Sequence, residues 1–243
     1  MAQQPQGTEG VMKESAGRIF DGLAKSYDRT LGLATLLQDR YWKRWLLSRA
    51  ALTRSDRVLD IGCGTCVLEE GLEGTGCSVV GLDLTVEMLR RGKSKKLACA
   101  EVLLEGDAEA MPFPDGSFDV IVSCYVVKYC DSETFVAEAA RVLRPGGRLV
   151  MYDFARPRGA AFPFLALYTY GMLGLAGRLL EHLDSGVAYT FKELPRIIRD
   201  SNWSDSLPSS LVRNGLELVE RRPLSGGAVE AFVAQKANGM GRS

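Results

Sequence analysis

Apolar residues in the stretch 11–51 recur at helical spacing: Ile19, Leu23 and Tyr27, then Leu37, Tyr41, Trp45 and Leu46. This pattern predicts N-terminal helices over 11–51, with a break at Asp28-Arg29-Thr30-Leu31-Gly32. From Arg57 the pattern changes to short apolar runs separated by amphipathic stretches. RVLDI (57–61), SVVGLD (78–83), VLLEG (102–106), FDVIVSC (118–124) and RLVMYDF (148–154) read as strands. The intervening 65–73, 85–97 and 131–143 read as helices. Such alternation predicts an α/β fold with a mostly parallel sheet and helices on both faces. The strands are apolar nearly throughout, as expected where both faces are covered.

The alternation stops after Asp153. Residues 159–177, GAAFPFLALYTYGMLGLAG, carry no charge. That length reaches the threshold for a membrane span, but Pro163 interrupts it and Gly159, Gly171, Gly174 and Gly177 dilute it. The alternative is a helical cap over the sheet's C-terminal edge, an insertion at about 156–200. The chain then returns to helices near 190–200 and 208–214 and to strands near 216–222 and 228–235, an antiparallel hairpin. The expected division is a disordered tail at 1–10, helices at 11–51, one domain at 52–236 and a flexible tail at 237–243.

Composition adds limits rather than a function. Lys+Arg and Asp+Glu are 30 each, so the formal net charge is zero and no global field favours nucleic acid, which is not expected as a partner. The ten N-terminal residues are polar and lack the apolar core of a signal peptide. Six cysteines then read as reduced thiols of a cytoplasmic protein. Cys63 and Cys66 form a C-x-x-C pair, but there is no second ligand pair and only one histidine, His182, so no metal is expected.

The strongest chemical signal is Val58-Leu59-Asp60-Ile61-Gly62-Cys63-Gly64-Thr65-Cys66: a strand, an acid, then a glycine turn opening a helix. Glycine lets the backbone bend sharply and lets a ligand approach it. Dinucleotide enzymes use a G-x-G-x-x-G turn to hold pyrophosphate. Here Asp60 precedes the turn, and its charge would repel phosphate. It suits an ammonium group, such as the amino-acid end of S-adenosylmethionine. At the end of the next strand, Asp83 follows Gly64 by 19 residues, where an acid can accept from both ribose hydroxyls. After the third strand, Asp107 can accept from an adenine amino group while Met88 or Ala108 packs on the ring. Each acid alone would read as a turn or helix-cap residue; in order, at successive strand ends, they form a pattern.

Residues 58–154 resemble the class I S-adenosylmethionine-dependent methyltransferases, with a Rossmann-like sheet. The matching pieces are VLDIGCGT, GLDLTVEML, GDAEAMPFPDGSFD and RVLRPGGRLVMYD. The resemblance implies cofactor binding by Asp60, Gly62, Cys63, Gly64, Asp83, Leu84, Met88, Asp107, Ala108 and Ser123. Cys66 stands where a third glycine is usual. The flanks resemble the quinone C-methyltransferases of ubiquinone and menaquinone biosynthesis. Ile19–Asp28 with Trp42-Lys43-Arg44-Trp45, Asp153-Phe154-Ala155-Arg156-Pro157, and the tail with Tyr189, Phe191, Asn214–Glu217 and Leu224–Val229 carry that likeness.

One departure bears on the acceptor. That family has an F-G-L-R-N run after strand four, and this chain has Cys124-Tyr125-Val126-Val127-Lys128-Tyr129. Lys128 there reads either as a solvated surface lysine or as a charge beside the acceptor. Lys128, Tyr125 and Asp153 are the expected catalytic residues, with Tyr27, Tyr129 and His182 as further candidates to handle a proton. The resemblance implies C-methylation of a lipophilic prenylated quinol. O- or N-methylation of another lipophilic small molecule or a phospholipid headgroup stays open, as does a non-enzymatic subunit that binds the cofactor. Intact Asp60, Gly62, Gly64 and Asp83 argue against the last. Peripheral contact with a membrane's inner face and a homodimer are further partner expectations.

Overall fold

The computed structural model describes residues 16, 17, 19, 20, 22–158, 162–172, 175, 178 and 184–238. Its centre is one sheet of seven strands: β1 (Arg57–Ile61), β2 (Ser78–Asp83), β3 (Ala100–Glu105), β4 (Phe118–Cys124), β5 (Leu143–Phe154), β6 (Leu216–Leu224) and β7 (Val229–Lys236), in the order β3-β2-β1-β4-β5-β7-β6. Strands β1 to β5 pair in parallel, and β7 runs antiparallel to both β5 and β6. Among the described residues, the helices with both bounds described are α1 (Tyr27–Ala34), α2 (Asp39–Ala50), α3 (Val67–Glu70), α4 (Val86–Ser94), α5 (Ser132–Val142), α6 (Phe162–Ala166), α7 (Ser185–Asp200) and α8 (Trp203–Arg213).

The period-two alternation of side chains explains the apolar strands. Leu59 and Ile61 of β1 face a layer with Phe135 and Val136 of α5 and Leu207 and Leu211 of α8. Val58 faces the opposite layer, with Val122, Val150 and Trp42 and Leu46 of α2. Strand order reverses between β1 and β4, so a crevice opens at their carboxyl ends, where ligands of open α/β sheets bind.

Several boundaries differ from the sequence expectation. The predicted break at 28–32 is helical, inside α1; the break falls at Thr35–Gln38, where Leu36 and Leu37 have φ of 50° and 63°. Asp28 sits in the first turn of α1 and accepts from Thr65 Oγ1 at 2.6 Å, so its polarity serves a tertiary contact. The helix expected at 65–73 is only α3, because Cys66 caps it in the left-handed conformation (φ 61°). Strand β5 begins at Leu143, five residues before the expected 148, with Leu143 paired to Phe118. Helix α7 begins at Ser185, capped by Asp184, whose carboxylate accepts from the Gly186 and Val187 amides. Helix α8 contains Pro208 rather than starting there.

Of the uncharged run 159–177, Phe162–Ala166 is α-helical and Leu167–Met172 a π-helical turn. The Tyr168 hydroxyl donates to Ala34 O at 2.5 Å, which ties this segment to α1. Among the described residues no helix is long and apolar enough to cross a membrane. The expected tail at 1–10, residues 239–243 of the expected tail at 237–243, and His182 lie outside the described residues.

Candidate active site

The glycine turn leaves β1 at its carboxyl end. Gly62 and Gly64 have φ of 75° and 55°, which glycine adopts without strain. A Cβ on Gly62 would stand 2.1 Å from Val126 Cγ2, so only glycine lets the turn pass beneath the end of β4. The Gly62 and Cys63 amides donate to Leu82 O at 2.7 and 3.2 Å. Asp83 then clamps the turn: Oδ2 accepts from Gly64 N and Oδ1 from Thr85 N, both at 2.8 Å. Burial pushes the Asp83 carboxyl up, and these amide donors oppose that rise.

These elements line a cleft of about 690 Å³. Of the expected cofactor residues, Gly62, Gly64, Asp83, Leu84, Met88, Asp107 and Ala108 are brought together on its walls. Asp60 and Cys63 line an adjoining recess of about 330 Å³, together with Gly62, Gly64 and Thr65. Burial, then the neighbouring Glu69, pushes the Asp60 carboxyl well above the usual range. An arriving ammonium would offset that cost by giving the carboxylate a counter-charge. Ser123 is the exception: its buried hydroxyl donates to Ile61 O at 3.0 Å, and it lines neither cavity. It secures β4 to the end of β1 instead. The fit to S-adenosylmethionine is otherwise direct: a glycine cradle that a Cβ would fill, an acid for the ammonium, an acid for the ribose, and Met88, Leu84 and Ala108 for an adenine ring.

A second cavity of about 470 Å³ adjoins the cleft. Phe20, Tyr27, Tyr125 and Tyr129 belong to both walls, and Tyr27 also borders the Asp60 recess. Its remaining lining is mostly apolar, including Leu23, Leu31, Phe154 and Leu194. Lys128 forms part of this wall and is not the surface lysine that its residue type suggests: its side chain is 1% exposed. Lys128 Nζ donates to Asp153 Oδ1 at 2.8 Å and to Tyr125 O at 2.5 Å, and lies 4.3 Å from the Tyr129 ring centroid. Burial lowers the Lys128 ammonium and raises the Asp153 carboxyl, while each partner opposes the other's shift.

Asp153 lines neither cavity; it accepts from the Lys128 and Phe154 amides and serves as the counter-ion of Lys128. It faces neither cavity, so an effect on a bound acceptor would have to run through Lys128. Tyr125 sits at φ 66°, a costly conformation for a non-glycine residue. Its hydroxyl donates to Asp39 Oδ1 at 2.7 Å, and the same carboxylate accepts from Lys43 Nζ at 2.7 Å and from the Tyr152 hydroxyl at 3.3 Å. Sequence reading missed Asp39, since an acid in a helix's first turn ordinarily complements the helix dipole.

A methyltransferase-domain family model matches residues 59–151. A demethylmenaquinone methyltransferase of Tropheryma whipplei (strain Twist) is 33% identical over 216 residues, 87% of each chain. One from Beutenbergia cavernae is 35% identical over 222 residues, 90% of this chain and 89% of the relative. Among solved structures, geranyl diphosphate C-methyltransferase from Streptomyces coelicolor shares the fold, with TM-score 0.56, 15% identity, and coverage of 81% of this chain and 77% of that one. The glycine cradle, the acids at three strand ends and these relatives agree: the chain belongs to the demethylmenaquinone methyltransferase family of S-adenosylmethionine-dependent enzymes.

Proposed function

We propose that this enzyme methylates a ring carbon of a prenylated quinol, an acceptor of the demethylmenaquinone type named for its relatives. The observation that carries this reading is the apolar second cavity, which shares Tyr27, Tyr125 and Tyr129 with the cofactor cleft. S-adenosylmethionine, when bound, supplies a methyl group on an electron-poor sulfur. The protein's task is then orientation and a dry, shaped cavity. The tyrosine rings offer faces on which an aromatic acceptor can stack. Because the Tyr125 hydroxyl proton is committed to Asp39, Tyr125 presents its ring rather than a donor. Lys128, held in place by Asp153, puts a fixed positive charge in the acceptor's wall. A quinol hydroxyl against it is favoured as the phenolate, which makes the adjacent ring carbon nucleophilic.

The acceptor cavity also shares Ala34, Phe154 and Leu194 with an outer groove bordered by Leu36, Phe164 and Tyr168. Leu36 and Phe164 are 64% and 77% exposed. A prenyl tail could leave by this groove, with the rim resting on a bilayer as a peripheral contact. The test is a reaction with a reduced demethylated naphthoquinone in lipid vesicles, with the product fragmented by mass spectrometry. A ring C–CH₃ product is expected. Methylation only at oxygen or nitrogen would overturn the acceptor assignment. Sedimentation with vesicles, reversed by a carbonate wash, tests the rim; protein that stays in the supernatant would overturn it.

A further inference from the structure

The turn that carries the cofactor cradle also carries three ligand-type side chains three residues apart: Cys63, Cys66 and Glu69. All three are buried, and one ligand atom from each lies within 4.8 Å of the others. Glu69 is the anomaly. It is 0% exposed, and neither carboxylate oxygen meets the geometry of a hydrogen bond, although the Asp60 and Cys66 side chains lie near enough to interact with it. Buried carboxylates are ordinarily paired or coordinated to a metal, because an isolated one forfeits all its hydration. Nearby basic groups are engaged elsewhere: Lys95 pairs with Glu70 and Asp28, and Lys43 with Asp39.

The surrounding fold makes room for both sulfurs. A Cβ on Gly81 would stand 2.7 Å from Cys63 Sγ, and one on Gly92 would stand 2.4 Å from Cys66 Sγ. Glycines on β2 and α4 therefore provide the space in which the two thiols meet Glu69. Cys63 lines the Asp60 recess, whereas Cys66 and Glu69 line neither it nor the cofactor cleft, so the cluster extends from the recess wall to behind the turn.

We infer that Cys63, Cys66 and Glu69 form a binding site for a thiophilic divalent cation of the zinc class, seated behind the glycine turn. Tetrahedral zinc with Zn–S bonds of about 2.3 Å and a Zn–O bond of about 2.0 Å places the sulfurs about 3.8 Å apart and each about 3.5 Å from the oxygen, so contractions of about 1.0–1.3 Å at most close the site. The fourth position is open to water. As each S–metal bond forms, the thiol proton leaves to the buffer, so affinity falls with pH and no electron is transferred. Sequence spacing alone supplied only two ligands; the third comes from the buried face of α3.

The test needs no methyl transfer. The full chain, with thiols reduced, is titrated with Cd²⁺, and the ultraviolet cadmium–thiolate band is followed; Zn²⁺ is then added to displace it. One equivalent per chain and displacement by zinc are expected. Cys63→Ser and Cys66→Ser should each lose the tight step. Glu69→Gln should weaken binding by about tenfold or more, at least the loss seen when a supporting residue of a metal site is removed. A Cys77→Ser/Cys99→Ser double variant should keep the band. No saturable step in the reduced wild-type chain would overturn the proposal, whatever the variants do. So would a band that survives in Cys63→Ser/Cys66→Ser or disappears with Cys77 and Cys99.

Discussion

Replacing Lys128 with methionine removes the positive half of an ion pair whose side chains are 1% and 0% exposed. The volume changes little, so the main effect is electrostatic. Asp153 keeps its two amide donors but loses its counter-charge, and leaving one partner of a buried pair uncompensated costs about 3–5 kcal/mol. For a domain of this size each kcal/mol shifts Tm by roughly 2–4 °C, so Tm should fall by about 6–20 °C. In Lys128→Met the lone Asp153 carboxyl has a folded pKa raised above its unfolded value. Its protonated form is therefore favoured in the fold, so the deficit is largest at neutral pH and narrows as pH falls toward the unfolded pKa of about 3.9. Lys128→Met/Asp153→Asn removes both charges while leaving a side-chain carbonyl at position 153 that can still accept from an amide, and should recover most of the stability. It should not recover turnover, which should fall by about 10²–10³, as when a transition-state donor is removed. Calorimetry from pH 4 to 8, cofactor titration and single-turnover assays separate these effects. A Lys128→Met enzyme with wild-type Tm would refute the buried-pair argument. One that keeps full turnover with the quinol while losing cofactor affinity would refute the acceptor-side role.

Asp83→Ala should weaken S-adenosylmethionine binding by about tenfold to hundredfold, from roughly 1.5–3 kcal/mol of charged hydrogen bonding, as read by titration calorimetry. It should also speed amide exchange at Gly64 and Thr85, which lose their acceptor; unchanged affinity would remove Asp83 from the cofactor site. Gly62→Ala places a methyl 2.1 Å from Val126 Cγ2 at φ 75°, so cofactor binding should be lost or the fold destabilised by several-fold more than by Gly74→Ala, whose Cβ meets nothing within 4 Å. Glu133 joins α5 to Arg213 at the end of α8 and to Asn214, which caps it, and its carboxyl is lowered to about 2, chiefly by the Arg213 hydrogen bond. Its contribution should be present above the unfolded pKa of about 4.3 and fade as pH falls through about 2; an NMR titration midpoint near 4 would contradict this.

The parts of this protein legible in the sequence are those governed by local geometry. Strand periodicity, the positive-φ glycines of the 62–64 turn, and acids at the ends of β1 and β2 and just after β3 are constraints written within a few residues, and the cofactor cleft follows from their order along a parallel sheet. The parts that only the tertiary structure decided depend on what lies across the fold. Nothing local distinguishes a solvated lysine from Lys128, whose burial is set by Asp153 and the Tyr125 carbonyl once β5 lies beside β4. Asp39 becomes the acceptor for Tyr125 and Tyr152 because the break at Thr35–Gln38 swings α2 onto the sheet, a turn that the polar stretch at 28–32 had suggested elsewhere. Glu69 reads as an ordinary helical acid until the fold buries it completely. Whether a charged side chain is a surface group or part of a site is decided by the loss of water around it, and that is a property of long-range packing.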